Sequence, residues 1–151
     1  MFKTHMLFSY LICLISLSIL NPKNVFGFMI LFLVAGAFPD IDHPKSKIGK
    51  KVKIIAFLFE HRGFFHSLIA AILFSIGAYY LFGGTEYSWA IFLGYSSHLI
   101  LDLLSHQGIM PIHPFSKFRL SGVFKTGGFF EWILFVSLIF FDIYFSIKYF
   151  F

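Results

Sequence analysis

Apolar residues run along this chain in five stretches separated by polar connections: Met6–Leu20, Val25–Phe38, Phe64–Phe82, Trp89–Ser105 and Phe129–Phe151. The last three match the ~20 residues an α-helix needs to cross a ~30 Å hydrocarbon core at a rise of ~1.5 Å per residue. The first two fall short, at 15 and 14 residues. Either Thr4, His5 and Pro39 extend them, or they form a shallow hairpin packed inside a bundle. "NPKN" (21–24) supplies turn formers between these two, and "GGTE" (83–86) ends the third stretch. The pattern predicts an all-α, polytopic membrane helix bundle of about five transmembrane helices, a single integral-membrane domain over residues 1–151.

Composition agrees with a bilayer as solvent. Of all residues 58% are hydrophobic and 13% charged, and phenylalanine occurs 24 times; a soluble domain has too little interior to hide that much apolar surface. Cys13 is the one cysteine, which excludes a disulfide framework and a cysteine-based zinc site. The opening "MFKTHMLFSYLICLISLSIL" resembles a signal peptide, but "NPKNVFG" after it lacks a small-x-small cleavage signal, so it is read as a retained helix.

The formal charge of +5 would suggest nucleic acid in a soluble protein; here its placement decides, and no nucleic-acid partner is expected. If all five stretches span, Lys3, Lys45, Lys47, Lys50, Lys51, Lys53, Arg62, Lys117, Arg119 and Lys125 fall on one side and Lys23 and Lys148 on the other. That bias places the basic side and the N-terminus in the cytoplasm, in a multi-pass protein of the inner membrane. "KSKIGKKVKII" (45–55) reads as a basic segment on the anionic leaflet or as a solvated positive-inside loop.

The same topology gathers the polar side chains. His5 opens the first stretch, and Asp40, Asp42 and His43 follow the second. His61 and His66 flank the start of the third, and His98, Asp102 and His106 line the inner half of the fourth. His113 and Glu131 border the loop before the fifth, so all seven histidines belong to the basic end. On a helix His98 and Asp102 lie one turn apart and about 40° round, able to share one ion, and His106 drifts by about 80°. The prolines of "FPDIDHP" argue for an extended segment in which Asp40 and Asp42 project together. His61 and His66 would diverge by about 140° on one helix, so Gly63 is read as letting the helix begin late, with His66 projecting into the bundle. Imidazole and carboxylate without thiolate suit a divalent transition metal, zinc first with manganese or iron(II) compatible, in one or two ions. Such an ion lowers the pKa of a bound water toward ~7, and phosphoester hydrolysis is the natural chemistry of a two-ion clamp.

Each element also has a plainer role. His98 and Asp102 could bond each other and glue neighbouring helices. Asp40 or Asp42 could be turn residues, and His43 and His113 loop residues before proline. Arg62 is either the partner of a phosphate or carboxylate or an ordinary inside-positive charge. Asp142 lies near mid-membrane, outside the cluster, without an account from sequence.

Taken in order, "PDIDHPKS" (39–46), "HRGFFHSL" (61–68), "GYSSHLILDLLSHQG" (94–108) and "PFSKFRLSGVFKTGGFFE" (114–131) resemble the signature blocks of the YdjM-like inner-membrane proteins, known as predicted membrane-bound metal-dependent hydrolases. The similarity runs from about residue 4 to 131. It implies His5, Asp40, Asp42, His61, His66, His98, Asp102 and Glu131 as the polar positions of the family. Phe65 stands where a threonine is expected, and His106 where the family usually has another residue, which lowers His106 as a ligand. The order of types is also similar, more distantly, to the all-helical zinc phospholipase C and S1/P1-type nucleases. The expectation is a metal-dependent hydrolase of phosphoester bonds at the cytoplasmic membrane face. Its metal would be held by His5, Asp40, Asp42, His61, His66, His98 and Asp102, with Glu131 and Arg62 acting on substrate. Membrane lipid is the expected partner, and a phospholipid headgroup a fitting substrate. The alternative is a non-enzymatic metal or proton conduit, or a structural bundle.

Overall fold

The computed structural model describes residues 2–43, 49 and 62–151. Of the basic segment at 45–55 only Gly49 is among them, and His61 lies outside the described residues. Five α-helices are present there: α1 Phe2–Leu20, α2 Val25–Ala37, α3 Leu68–Phe82, α4 Thr85–Leu104 and α5 Phe129–Phe150.

The two short apolar stretches prove longer as helices than their apolar runs suggest. Thr4 and His5 are helical and buried, because Glu131 and Asp102 supply polar partners for them, so α1 reaches 19 residues. α2 runs on into a 3-10 turn, Phe38–Asp42, giving an 18-residue apolar span over Val25–Asp42. With α5 these make three helical spans long and apolar enough to cross a membrane among the described residues. α3 is apolar but has 15 residues. α4 has 20 residues, and its hydropathy is diluted by Glu86, Ser96, Ser97, His98 and Asp102.

Local chemistry sets the boundaries. The Asn24 side chain accepts from the Gly27 N–H at 2.9 Å and starts α2, and Ser67 accepts from the Ala70 N–H at 3.1 Å and starts α3. "FPDID" is not extended as expected. Pro39, with its fixed φ and missing N–H, suits the first turn of a helix, and the segment winds into the 3-10 turn. "FFH" (64–66) forms a second 3-10 turn, so α3 begins at Leu68 rather than Phe64.

α4 is the central helix, packed on α1, α2 and α3, whereas α5 packs mainly along α1 among the described residues. Two apolar clusters fill the interior, one around Leu14, Leu17, Phe28 and Phe32 and one around Ala70, Ala71, Tyr95 and Leu99. Where α2 crosses α4 the backbones nearly touch: a methyl group at Gly94 would collide with the Phe32 carbonyl. Small residues at such crossings are how helices pack in lipid, where no hydrophobic effect drives them together. Beyond α4 the chain folds back on its end, with Ile109 and Leu120 paired through both backbone N–H groups. Gly108 turns there with φ 63°, and a methyl group on it would collide with the Leu120 carbonyl, so only glycine fits.

Gly94→Ala is expected to destabilise the bundle by ~1–3 kcal/mol, because the carbonyl it meets is backbone and helix spacing must yield. Gly77→Ala on α3, with open space around it, is expected to be neutral or stabilising by up to ~1 kcal/mol. Thermal melts of the two variants in detergent measure the contrast.

Candidate metal centre

One carboxylate organises the buried polar cluster. Asp102, on the last turns of α4, is 2% exposed. Its Oδ1 lies 2.8 Å from Arg62 Nη2 and 3.3 Å from His5 Nε2. Its Oδ2 faces His66 Nε2 at 3.2 Å and His98 Nε2 at 3.5 Å. The contributors are the start of α1, the turn after α2, the turn before α3 and the end of α4. Starts and ends alternate, as an up-and-down bundle requires if all are to meet at one side.

Both imidazoles facing Oδ2 are held from behind. His66 Nδ1–H donates to Asp42 Oδ2 at 3.0 Å, and His98 Nδ1–H donates to the Gly36 carbonyl at 2.8 Å. Each ring thereby turns Nε2 inward, the arrangement that outer acceptors impose on metal-ligating histidines. The structure thus divides the aspartate pair. Asp42 Oδ2 takes the His66 ring and the Arg62 backbone N–H, at 3.1 Å. Asp40 Oδ1 instead stands 3.9 Å from His98 Nε2, toward the interior of the cluster.

Asp102 Oδ2 is enclosed yet makes no hydrogen bond, although two ring nitrogens stand close to it. An unsatisfied buried acceptor costs about 1–3 kcal/mol, more for a charged group. Inward-turned nitrogens around such an oxygen are what a cation-binding site presents. Two groups of ligand atoms, each within 4.8 Å of one another, could hold an ion: His5 with His98 and Asp102, and Asp40 with His66 and His98.

Arg62 is buried, in a left-handed backbone conformation with φ 63°. Besides Asp102, its guanidinium donates to Ser105 Oγ at 3.3 Å and to the Gly108 carbonyl at 2.8 Å. Glu131, at the start of α5, accepts from Thr4 Oγ1 at 2.9 Å and from the Gly127 N–H at 2.6 Å. It ties the beginning of α5 to the beginning of α1, one residue from His5. His106 is exposed and outside the cluster. His43 and His113 belong to none of the metal-binding groups among the described residues. Sequence reasoning missed Thr4, Ser105 and the Gly36 carbonyl. A hydroxyl beside a candidate histidine was the available signal for Thr4, whereas a backbone carbonyl leaves none.

His66 lies in the turn before α3, outside the spanning helices. Burial lowers its proton affinity, but the Asp102 and Asp42 carboxylates on either side of the ring outweigh burial and hold its pKa up to about 9 against an ordinary 6.5.

The YdjM inner membrane protein family matches residues 1–149. The chain is 37% identical over 111 residues to the uncharacterized protein YvsG of Bacillus subtilis, a match covering 70% of this chain and 69% of that one. It is 39% identical over 93 residues to the inner membrane protein YdjM of Escherichia coli and of Shigella flexneri, covering 54% of this chain and 47% of theirs. The match therefore spans about half the length of those two relatives. No solved structure gives a significant match. The chain belongs to the YdjM inner membrane protein family, and its apolar helices are those of a multi-pass inner-membrane protein.

Because the folded pKa of His66 exceeds its unfolded value, its imidazolium stabilises the metal-free fold fully below pH 6.5, and that contribution is lost as pH rises through about 9. In chelator-treated protein the melting temperature is expected to fall across this window, and His66→Gln to remove that part of the fall. Thermal melts at a series of pH values test it.

Proposed function

We propose that this YdjM-family membrane protein is a metal-dependent hydrolase of phosphoester bonds whose centre opens to the basic, cytoplasmic side of the inner membrane. One observation carries the reading: Asp102 Oδ2, buried and without a hydrogen bond, is faced by the Nε2 atoms of His66 and His98, each aimed by an outer acceptor. The nitrogen and oxygen donors suit zinc, with manganese or iron(II) compatible.

The geometry favours one ion over two. His98 turns a single nitrogen inward, so the two ligand groups share it and are alternative descriptions of one place. The Arg62 guanidinium, at 2.8 Å from Asp102 Oδ1, puts a positive charge where a second cation would sit. His66, His98, Asp102 and Asp40 are the four ligands this favours. Bound there, a divalent ion would polarise a phosphoryl oxygen and bring a water's pKa toward ~7.

The remaining residues take roles from their contacts. Arg62, committed to Asp102, Ser105 and Gly108, positions the aspartate rather than substrate. His5 Nε2 neighbours Asp102 and its residue lines a cavity, a place from which it can hold or move a proton at a reacting oxygen. Glu131 stands on the same cavity wall.

The conduit reading fares less well. A relay needs ionisable groups in succession across the bundle. Among the described residues Asp142 is the one buried charged side chain away from the cluster.

Purified protein is expected to carry about one transition-metal ion per chain. His98→Ala and Asp102→Ala should lose it, and Asp42→Asn should keep the fold while weakening metal affinity by ~10–100-fold. Elemental analysis and metal titration read these outcomes. Panels of phospholipids and nucleotides then test for metal-dependent turnover lost in the first two variants. A well-folded wild type without metal contradicts the proposal, and vesicle flux without turnover favours the conduit.

A further inference from the structure

α4 and α5 both pack extensively along α1 but not along each other, and a groove between them is lined by residues of all three helices. It has a volume of about 370 Å³, within the ~300–1,000 Å³ of small-molecule sites. Its walls are apolar: Phe8 on α1, Leu101 and Leu104 on α4, Ile133 and Leu134 on α5. At one end lie His5, Ser105, Lys125 and Thr126. The α5 wall follows one helical stripe from Glu131 through Leu134 to Ser137, about 9 Å along the axis at ~1.5 Å per residue.

We infer that this groove seats one acyl chain of an anionic membrane phospholipid and presents its headgroup to His5, an assignment that rests on the hydrolase reading and names its substrate class. The α5 wall and the α1 floor are long and apolar enough to cross a membrane, so the mouth faces bilayer and acyl chains are the apolar molecules at hand. The polar end selects the headgroup sign. Lys125 lies there, and Glu131, the one acid among the described lining residues, already has its carboxylate engaged by Thr4 and Gly127. His5 connects the two sites, lining the groove while its Nε2 stands 3.3 Å from Asp102. A lipid so placed has its phosphoester at the polar end and its chain in the apolar length.

The test uses the full chain in vesicles containing phosphatidylglycerol with a photoreactive group on one acyl chain. Crosslinks should concentrate on Leu101–Leu104 and Phe130–Leu134, and unlabelled phosphatidylglycerol should displace them better than phosphatidylcholine does. Leu134→Trp, which fills the groove, should cut labelling roughly fivefold or more, whereas Ile143→Trp, on an exposed α5 position outside the lining, should leave it unchanged. Lys125→Glu should abolish the preference for the anionic lipid without requiring repacking. Labelling spread evenly over α5, undiminished in Leu134→Trp or not displaced by unlabelled lipid, overturns the inference. Metal content of the same preparations separates the two proposals. Metal and turnover without groove labelling overturn the lipid assignment alone. Groove labelling without metal overturns the hydrolase reading and, with it, the lipid's role as substrate.

Discussion

A carboxylate buried among helix ends must be neutralised, and the fold around Asp102 follows from that requirement. Taking a charge out of water costs several kcal/mol even after relaxation, so a buried aspartate persists only with partners of opposite sign and satisfied geometry. Asp102 draws Arg62, His5, His66 and His98 from four separate parts of the chain. Those groups are buried in turn, and three of them are held from behind: His66 by Asp42, Arg62 by Ser105 and Gly108, and His98 by Gly36. Helix packing and site chemistry are therefore one problem, solved at one end of the bundle.

The crossing of α2 and α4 shows the coupling. Gly94 lets the two backbones approach closely, and Ser9 and Ser97 meet at 2.6 Å on the neighbouring contact with α1. One turn along α4 from Gly94, His98 reaches the Gly36 carbonyl, and that hydrogen bond fixes which ring nitrogen faces Asp102. Wider helix spacing would leave the ring free to rotate. Small residues here serve the orientation of a ligand as well as the packing of a membrane bundle.

Much of this was legible in the sequence because it depends on periodicity and topology. The four-residue spacing of His98 and Asp102 put them on one face, and five apolar stretches brought His5, the Asp40/Asp42 pair and His66 to the same side. What escaped depends on local geometry that periodicity does not carry. The stripe fails at His106 because α4 has ended: the Ser105 hydroxyl bonds the Asp102 carbonyl at 2.8 Å, and the chain turns away. Asp40 and Asp42 part company because Pro39 winds their segment into a 3-10 turn, turning one toward the His66 ring and the other toward His98. Residue type left Arg62 as the partner of a phosphate or of a carboxylate, and a positive φ and burial direct it to the carboxylate of Asp102 and a backbone carbonyl. Of the two readings of the short first stretches, extension through Thr4, His5 and Pro39 is the one the structure shows, because polar residues at those ends are buried by partners distant in sequence.

The central claim is that inward-turned imidazoles and Asp102 form a ligand set for one cation. X-ray absorption at the edge of the metal retained by purified protein tests it most directly. The account predicts nitrogen and oxygen ligands alone at ~2.0–2.2 Å, with the outer-shell scattering of at least two imidazole rings. A sulfur ligand, a spectrum without imidazole scattering, or well-folded protein without bound metal would contradict it.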